Sequence, residues 1–271
     1  MTPEVADSFP LDLERTSYSY VERPNTVLLG LLEDRVLRDN GGACILDVGC
    51  GAGANARALK AKHRDLRLYG IEPNAHAAEL ASAAGVEVFR GVLDEWLASK
   101  PTANFDAVVL SDVIEHTTDP VKCLRDLLAY RGTENATFVI SVPNYAVWYN
   151  RMRTLLGKFE YGFSGLYDRT HLRFFTRKSL KQLLDYLGLA AIDVRFTPSL
   201  VQSAAPILRR FFDRDVAAGE HLSLASSPAF RAYAGLIEPI ETRVCRLWPE
   251  LLAFQIVVAA RRAPQGRSPI A

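Results

Sequence analysis

The sequence is poor in cysteine and has neither a long apolar run nor an excess of one charge. Its four cysteines, at positions 44, 50, 123 and 245, stand far apart without a CxxC pair, which argues against a disulfide framework and a zinc cage. The most apolar late stretch, residues 251–260, is about half the length of a membrane span. The first residues carry acids instead of the apolar run of a signal peptide. These absences predict a globular, cytoplasmic protein without membrane insertion.

The charges nearly cancel. The 271 residues include 32 basic and 31 acidic side chains, for a formal net charge of +1. A general nucleic-acid binder would need a broad positive field, so we expect a small-molecule partner and no nucleic acid. The oligomeric state stays open, with a homodimer among the options.

Short β-rich apolar runs alternate with helical segments from residue 43 to about residue 142. The runs are ACILDVG, RLYGIEP, VEVFRG, FDAVVLS and ATFVISVPN, and such alternation is typical of βαβ units with a parallel sheet. The later runs LAAIDVRFT and LLAFQIVVAARR add a sixth and a last strand. The pattern predicts an α/β fold with a Rossmann-like, seven-stranded, mostly parallel sheet and helices on both faces. Helices are expected at residues 54–61, 75–83, 120–130 and 179–187.

This pattern divides the chain into five segments. They are an N-terminal helical lid (1–42), a cofactor-binding core (43–145), a cap insertion for the acceptor (146–178), a C-terminal part of the core (179–262) with a helical insertion at 200–248, and a disordered tail (263–271). The cap is assigned because residues 146–175 are rich in aromatic residues and arginine, with glycines that interrupt any long helix.

A glycine-rich loop follows the first strand in ILDVGCGAG, residues 45–53. Glycines at 49, 51 and 53 allow a tight turn and close approach of a ligand to the backbone. The spacing departs from GxGxxG, which disfavours NAD. Glu72, in GIEP at the end of the second strand, can accept hydrogen bonds from both hydroxyls of a ribose.

Together these motifs resemble the class I S-adenosylmethionine (SAM)-dependent methyltransferases, of the bacterial type that acts on small biosynthetic molecules. The matching segments are DVGCGAG at 47–53, GIEP at 70–73, FDAVVLSDVIEH at 105–116, and Pro120. The resemblance implies a SAM cofactor and an S-adenosylhomocysteine (SAH) product.

The resemblance also implies which residues surround the cofactor. The loop residues expected around its methionine portion are Asp47, Gly49, Cys50, Gly51 and Gly53. Glu72, followed by Pro73, is expected at the ribose. Val92 and Leu93 are expected against the adenine, where Val92 replaces the acid common in this family. Asp94 is the candidate partner of the adenine amino group. Ser111 and Asp112 are expected beside the transferred methyl group.

The catalytic candidates lie at two places in the chain. His116 stands in EHxxxP after the fourth strand, and Asp168 and His171 stand in YDRTHLRFFT, residues 167–176, which resembles a signature of methyltransferases acting on small intermediates, including sugars and glycans. An alcohol acceptor loses its proton as it attacks, so a positioned histidine would help. His171 is the first choice for this base and His116 the second. The alternative for Asp168 is a salt bridge with Arg173 that pins the cap.

The sequence thus predicts a SAM-dependent methyltransferase of a small molecule, with O-methylation favoured and no metal site. Two histidines near the reaction centre favour oxygen as the acceptor atom, on a sugar, glycan or other intermediate. The alternatives are N-methylation of a small molecule, methylation of a protein, and a catalytically silent cofactor-binding protein.

Overall fold

The computed structural model describes residues 24–38, 40–162, 165–198 and 238–264. The strands are β1 (Cys44–Val48), β2 (Arg67–Glu72), β3 (Glu87–Arg90), β4 (Ala107–Ser111), β5 (Thr137–Pro143), β6 (Leu189–Pro198) and β7 (Ala253–Arg262). The α-helices, numbered among these described residues, are α1 (Thr26–Leu32), α2 (Ala54–Lys62), α3 (Ala75–Ala83), α4 (Leu93–Ala98), α5 (Pro120–Ala129), α6 (Trp148–Leu155), α7 (Arg177–Tyr186), α8 (Glu238–Leu247) and α9 (Pro249–Leu252).

The seven strands form one sheet in the order β3-β2-β1-β4-β5-β7-β6. The first five strands run parallel, while β7 pairs antiparallel with β5 and β6. The predicted Rossmann-like, mostly parallel sheet is therefore confirmed. The strand order reverses between β1 and β4, and ligands of open α/β sheets bind at the carboxyl ends of the strands beside such a reversal.

Apolar side chains alternate between the two faces of the central strands and build a core on each face. Val108 and Leu110 of β4 pack with the side of the sheet that α5 and α7 cover, and Val109 packs with the opposite side, which α1 and α2 cover. Local sequence signals set the helix starts, since Asn74 and Asp119 accept hydrogen bonds from the backbone N–H groups of Ala77 and Lys122. Packing on both faces thus holds the central strands, and with them the loops at their carboxyl ends, in place.

Four segments differ from the predicted pattern or lie partly or wholly outside the described residues. Helix α1 buries Leu28, Leu31 and Leu32 completely against the sheet, so the described part of the 1–42 segment belongs to the core; residues 1–23 lie outside the described part, and a lid there stays a prediction. The last strand begins at Ala253 instead of residue 251, because Pro249 starts the short helix α9. Residues 200–237 of the predicted insertion and 265–271 of the predicted tail also lie outside the described part. No helix among the described residues is long and apolar enough to span a membrane.

Candidate active site

The loop after β1 owes its path to three glycines. Gly49, Gly51 and Gly53 have φ angles of +71°, +53° and +75°, a region that favours glycine. The N–H groups of Gly49 and Cys50 both donate to the carbonyl of Ile71, at 2.8 and 3.2 Å. The loop is thereby fastened to the end of β2, next to the start of α2.

Asp47 places a carboxylate beneath this loop. Its Oδ1 atom is buried without a hydrogen-bond partner among the described residues. Burial, and secondarily the charge of Glu72, raises the pKa of Asp47 to about 7. A carboxylate of this kind suits a ligand that brings its own positive charge, as the ammonium group of the methionine portion of SAM does.

Glu72 connects the loop to the start of α3. Its side chain is buried, Oε2 accepts from the N–H of Gly51 at 2.9 Å, and Oε1 accepts from the N–H of Asn74 at 2.9 Å. A carboxylate oxygen can accept more than one hydrogen bond, so this side chain fits the ribose role while it also shapes the loop. Pro73 follows directly and is half-buried.

The residues predicted at the adenine lie at the start of α4. The Val92 side chain is exposed and Leu93 is partly buried against the core. The carboxylate of Glu95 accepts from the N–H of Val92 at 3.0 Å. Asp94 is exposed and forms an ion pair with Lys122 at 2.9 Å. That pairing holds Asp94 on the surface and weakens its assignment to the adenine.

Ser111 and Asp112 end β4 beside the strand-order reversal. Asp112 has a φ of +55°, and its carboxylate accepts from the side-chain amide of Gln255 and from the hydroxyl of Ser141 at 3.2 Å. The Ser141 hydroxyl also lies 3.4 Å from that of Ser111. Burial raises the pKa of Asp112 despite these hydrogen bonds. Sequence reasoning missed Gln255, since a lone glutamine in a terminal strand gives no signal of its own.

The two candidate histidines meet in space although 54 positions separate the contacting segments. His116 lies in a 3-10 turn, Ile114–His116, directly after β4, and the rings of His116 and His171 pack edge to face with centroids 4.8 Å apart. Nδ1 of His116 lies 3.1 Å from the carbonyl of Thr170, and Nδ1 of His171 lies 3.2 Å from the carbonyl of Leu166. Burial, with the nearby His171, lowers the pKa of His116.

Glu115, which the sequence reasoning did not single out, lies with these two histidines. Its side chain is 1% exposed, and both carboxylate oxygens lack a hydrogen-bond partner among the described residues. One ligand atom from each of Glu115, His116 and His171 lies within 4.8 Å of the others. In the sequence, only the position of Glu115 directly before His116 pointed to a role in the site. Nothing in the sequence indicated that its carboxylate is buried.

Asp168 and Arg173 hold the cap segment in place through separate partners. Asp168 accepts from the N–H and the hydroxyl of Thr170, at 2.9 and 2.7 Å. Arg173 donates to the backbone carbonyl of Thr118. The salt bridge considered for these two residues is therefore absent from this described part of the chain. Asp168 instead closes the turn that precedes His171.

Aromatic rings of the cap and of Tyr145, the residue before it, lie near His171. Tyr145 packs on Phe174 with centroids 4.7 Å apart, and Phe159 packs on Tyr167 at 4.9 Å. A small cleft is lined by Pro143, Tyr145, Leu166, His171, Arg173, Phe174 and Phe175. Aromatic rings and Leu166 give this cleft a largely apolar lining, with His171 and Arg173 as its charged or titratable members.

A glycine loop beside an acid with a buried Oδ1 atom, a second acid at the end of β2 and a polar cluster at the end of β4 define a class I SAM-dependent methyltransferase. The model for the methyltransferase domain family matches residues 20–194, so the chain belongs to that family. The cofactor of this class is SAM, and the orphaned Oδ1 of Asp47 and the positive φ angles of the loop fit it.

Two curated proteins are similar over part of their length. The bifunctional methionine biosynthesis protein MetXA/MetW of Rhodopirellula baltica is 26% identical over 204 residues, 69% of this chain and 32% of that protein. The ubiquinone biosynthesis O-methyltransferase of Xanthomonas oryzae pv. oryzae is 31% identical over 105 residues, 37% of this chain and 43% of that protein. The chain thus matches less than half the length of either relative.

A solved structure shows the same fold. The putative sarcosine dimethylglycine methyltransferase from Galdieria sulphuraria superposes with a TM-score of 0.53 at 16% identity, covering 87% of this chain and 85% of that one.

Proposed function

We propose that this methyltransferase domain transfers the methyl group of SAM to a hydroxyl group of a small molecule. The observation that carries the proposal is the contact between His116 and His171 at the end of β4, with ring centroids 4.8 Å apart. A neutral amine attacks a sulfonium methyl group without much help, whereas an alcohol needs its proton removed. Two imidazoles at the site where the acceptor enters are therefore best explained by oxygen chemistry.

The cofactor is held by the loop side of the site. Asp47 meets its charged amino acid end, Glu72 its ribose hydroxyls, and Val92 and Leu93 its adenine. When bound, it supplies an electrophilic methyl group. Gly49, Cys50, Gly51 and Gly53 let the backbone approach the methionine portion, and Ser111 and Asp112 border the place of transfer.

The acceptor is held by the cap side of the site. His171 reaches the cleft that Tyr145 and Phe174 line, and its Nδ1 faces the carbonyl of Leu166, which assigns the lone pair to Nε2. His171 then takes the proton of the acceptor hydroxyl, and the ring of His116 packs against the ring of His171. Asp168 has the role of a positioning residue, because its carboxylate is engaged by Thr170.

The similarity to an O-methyltransferase of ubiquinone biosynthesis supports a hydroxyl acceptor. The aromatic lining supports a phenol-like or otherwise apolar acceptor, and the sugar and glycan acceptors that the sequence suggests remain in the test set. Methylation of a protein is an alternative that the test separates from this proposal.

The test uses the full chain with SAM that carries a labelled methyl group and matched acceptor pairs. Each pair consists of a hydroxyl compound, phenolic or sugar-based, and its amine analogue, with product mass read by mass spectrometry. Label on the hydroxyl member and not on the amine supports the proposal. Label only on amines or on protein would contradict it, and SAH binding without any transfer would favour a silent cofactor-binding protein.

A further inference from the structure

Glu115 presents an electrostatic problem that the methyl-transfer chemistry leaves unsolved. Its carboxylate is 1% exposed, and neither oxygen has a hydrogen-bond partner among the described residues. Burying a carboxylate without partners is costly. A cation between Glu115 and its neighbours would offset this cost.

The two histidines have the hydrogen bonds that metal-binding imidazoles ordinarily make. A carbonyl oxygen only accepts, so the contacts with Thr170 and Leu166 place a proton on Nδ1 of both His116 and His171. The lone pair of each neutral ring is then on Nε2. Metal-bound histidines commonly donate their other N–H to a backbone carbonyl in this way, which fixes the ring orientation.

The backbone holds the three side chains together before any ligand arrives. The carbonyl of Glu115 accepts from the N–H groups of Leu172 and Arg173, at 2.8 and 2.9 Å. These bonds join the turn after β4 to the cap segment that carries His171. Ligand atoms of Glu115, His116 and His171 consequently lie within 4.8 Å of one another. Bonds of about 2.0–2.2 Å to one ion place two ligand atoms at most about 4.4 Å apart, so an ion would draw these side chains slightly closer together.

We propose that Glu115, His116 and His171 bind one divalent transition-metal ion, such as Zn²⁺ or Mn²⁺. Two imidazoles and one carboxylate suit such ions better than Mg²⁺ or Ca²⁺, which prefer oxygen ligands. Three protein ligands leave coordination positions open for a hydroxyl oxygen. The sequence predicted no metal site. It could not reveal this cluster, because the ligands come from segments that only the fold brings together.

The ion would take part in the proposed methyl transfer to a hydroxyl group, and this part of the inference rests on that proposed function. The acceptor hydroxyl would bind the ion, and the ion would lower the pKa of that hydroxyl. The O–H bond would then break as the proton passes to water. The oxygen then forms a bond to the methyl carbon while the carbon–sulfur bond breaks and its electron pair stays on sulfur, giving an ether and SAH. In this state His171 acts through the ion, as a ligand, instead of taking the proton itself.

Metal binding is tested directly on the full chain after removal of metals with a chelator. Titration with Zn²⁺ and with Mn²⁺, followed by calorimetry, should give one site per chain. Glu115→Gln and His171→Ala should weaken that site by about tenfold to a hundredfold or more, while His76→Ala, which removes an exposed histidine elsewhere, should not. SAH affinity, measured on each variant, shows that the fold and the cofactor site are intact.

The outcomes separate this inference from the proposed function. Absence of a stoichiometric site for both ions, or full binding by the Glu115→Gln and His171→Ala variants, would overturn the metal site even if hydroxyls are methylated. Stoichiometric binding together with methyl transfer only to amines would uphold the metal site and overturn the hydroxyl acceptor. Should Glu115→Gln fail to fold, His171→Ala decides alone.

Discussion

The side-chain amide of Gln255 on β7 donates to both carboxylate oxygens of Asp112 at the end of β4, at 2.7 and 2.6 Å. The other end of the same amide accepts from Asn25 and Thr197, at 3.2 and 3.3 Å. The last strand and helix α1 are thus tied to Asp112, which we propose borders the transferred methyl group. Asp112 holds its left-handed backbone conformation within this network.

Gln255→Leu should lower the free energy of unfolding by about 1–3 kcal/mol, because it leaves the partly buried Asp112 carboxylate without its amide donor. Urea unfolding followed by circular dichroism measures the change. Thr197→Val is the matched control, since it removes a hydrogen bond to the same amide but leaves no charged group without a partner. It should lower the free energy of unfolding by about 1 kcal/mol or less. Equal losses in the two variants would show that the Asp112 contact has no special weight.

Gly53→Ala should destabilise the protein more than Gly157→Ala. Both glycines have a positive φ, +75° and +68°, so an added side chain strains both backbones. A Cβ at Gly53 would lie 2.9 Å from the Cα of Ala81, whereas a Cβ at Gly157 would meet nothing within 4 Å. Unfolding midpoints in urea measure the difference. If the two variants lose the same stability, the packing of the loop against α3 is unimportant.

Glu72→Ala should weaken SAH binding by about 2–3 kcal/mol, since a carboxylate that accepts from ribose hydroxyls forms charge-assisted bonds. The loss includes the contact that holds Gly51. Gly51→Val should do at least as much damage by blocking approach to the loop. Calorimetry measures both, with NAD as the control ligand, which should not bind. Parental SAH affinity in both variants would place the cofactor elsewhere.

Asp47 should make the unliganded protein less stable as the pH rises from about 4 to about 7. Its folded pKa is raised to about 7, so the folded state keeps a proton that the unfolded chain releases near pH 4. The stabilisation is complete below the unfolded pKa and is lost as the pH passes the folded one. Unfolding at pH 5 and pH 8 should differ less in Asp47→Asn than in the parent; an identical difference in both would exclude Asp47 as the source.

Local sequence patterns predicted the elements that depend on neighbouring residues. The helix at 75–83 was predicted to the residue, because Asn74 caps it and the apolar spacing continues to its end. The glycine loop could be predicted because the preference of glycine for positive φ angles is a property of each residue and does not depend on distant parts of the chain. The start of β7 was placed two residues early, because the apolar run continues through the helical turn that begins at Pro249.

The active-site cluster could be predicted only in part. His116 and His171 were each singled out from their own surroundings, yet their contact depends on the path of the cap back to β4. Glu115 and Gln255 were missed, because their importance comes from burial and from partners distant in the chain. Such contacts are set by strand order, which a local pattern does not encode.

The most direct measurement of the central claim is methyl transfer from labelled SAM to a hydroxyl acceptor, compared between the parent and His171→Ala. The acceptor is the hydroxyl compound that the parent turns over best. The parent should form the methyl ether, and His171→Ala should lower kcat by about two to four orders of magnitude with SAH affinity nearly unchanged, because His171 acts on the acceptor. Parental turnover by His171→Ala, or a parent that methylates only nitrogen, would contradict the account.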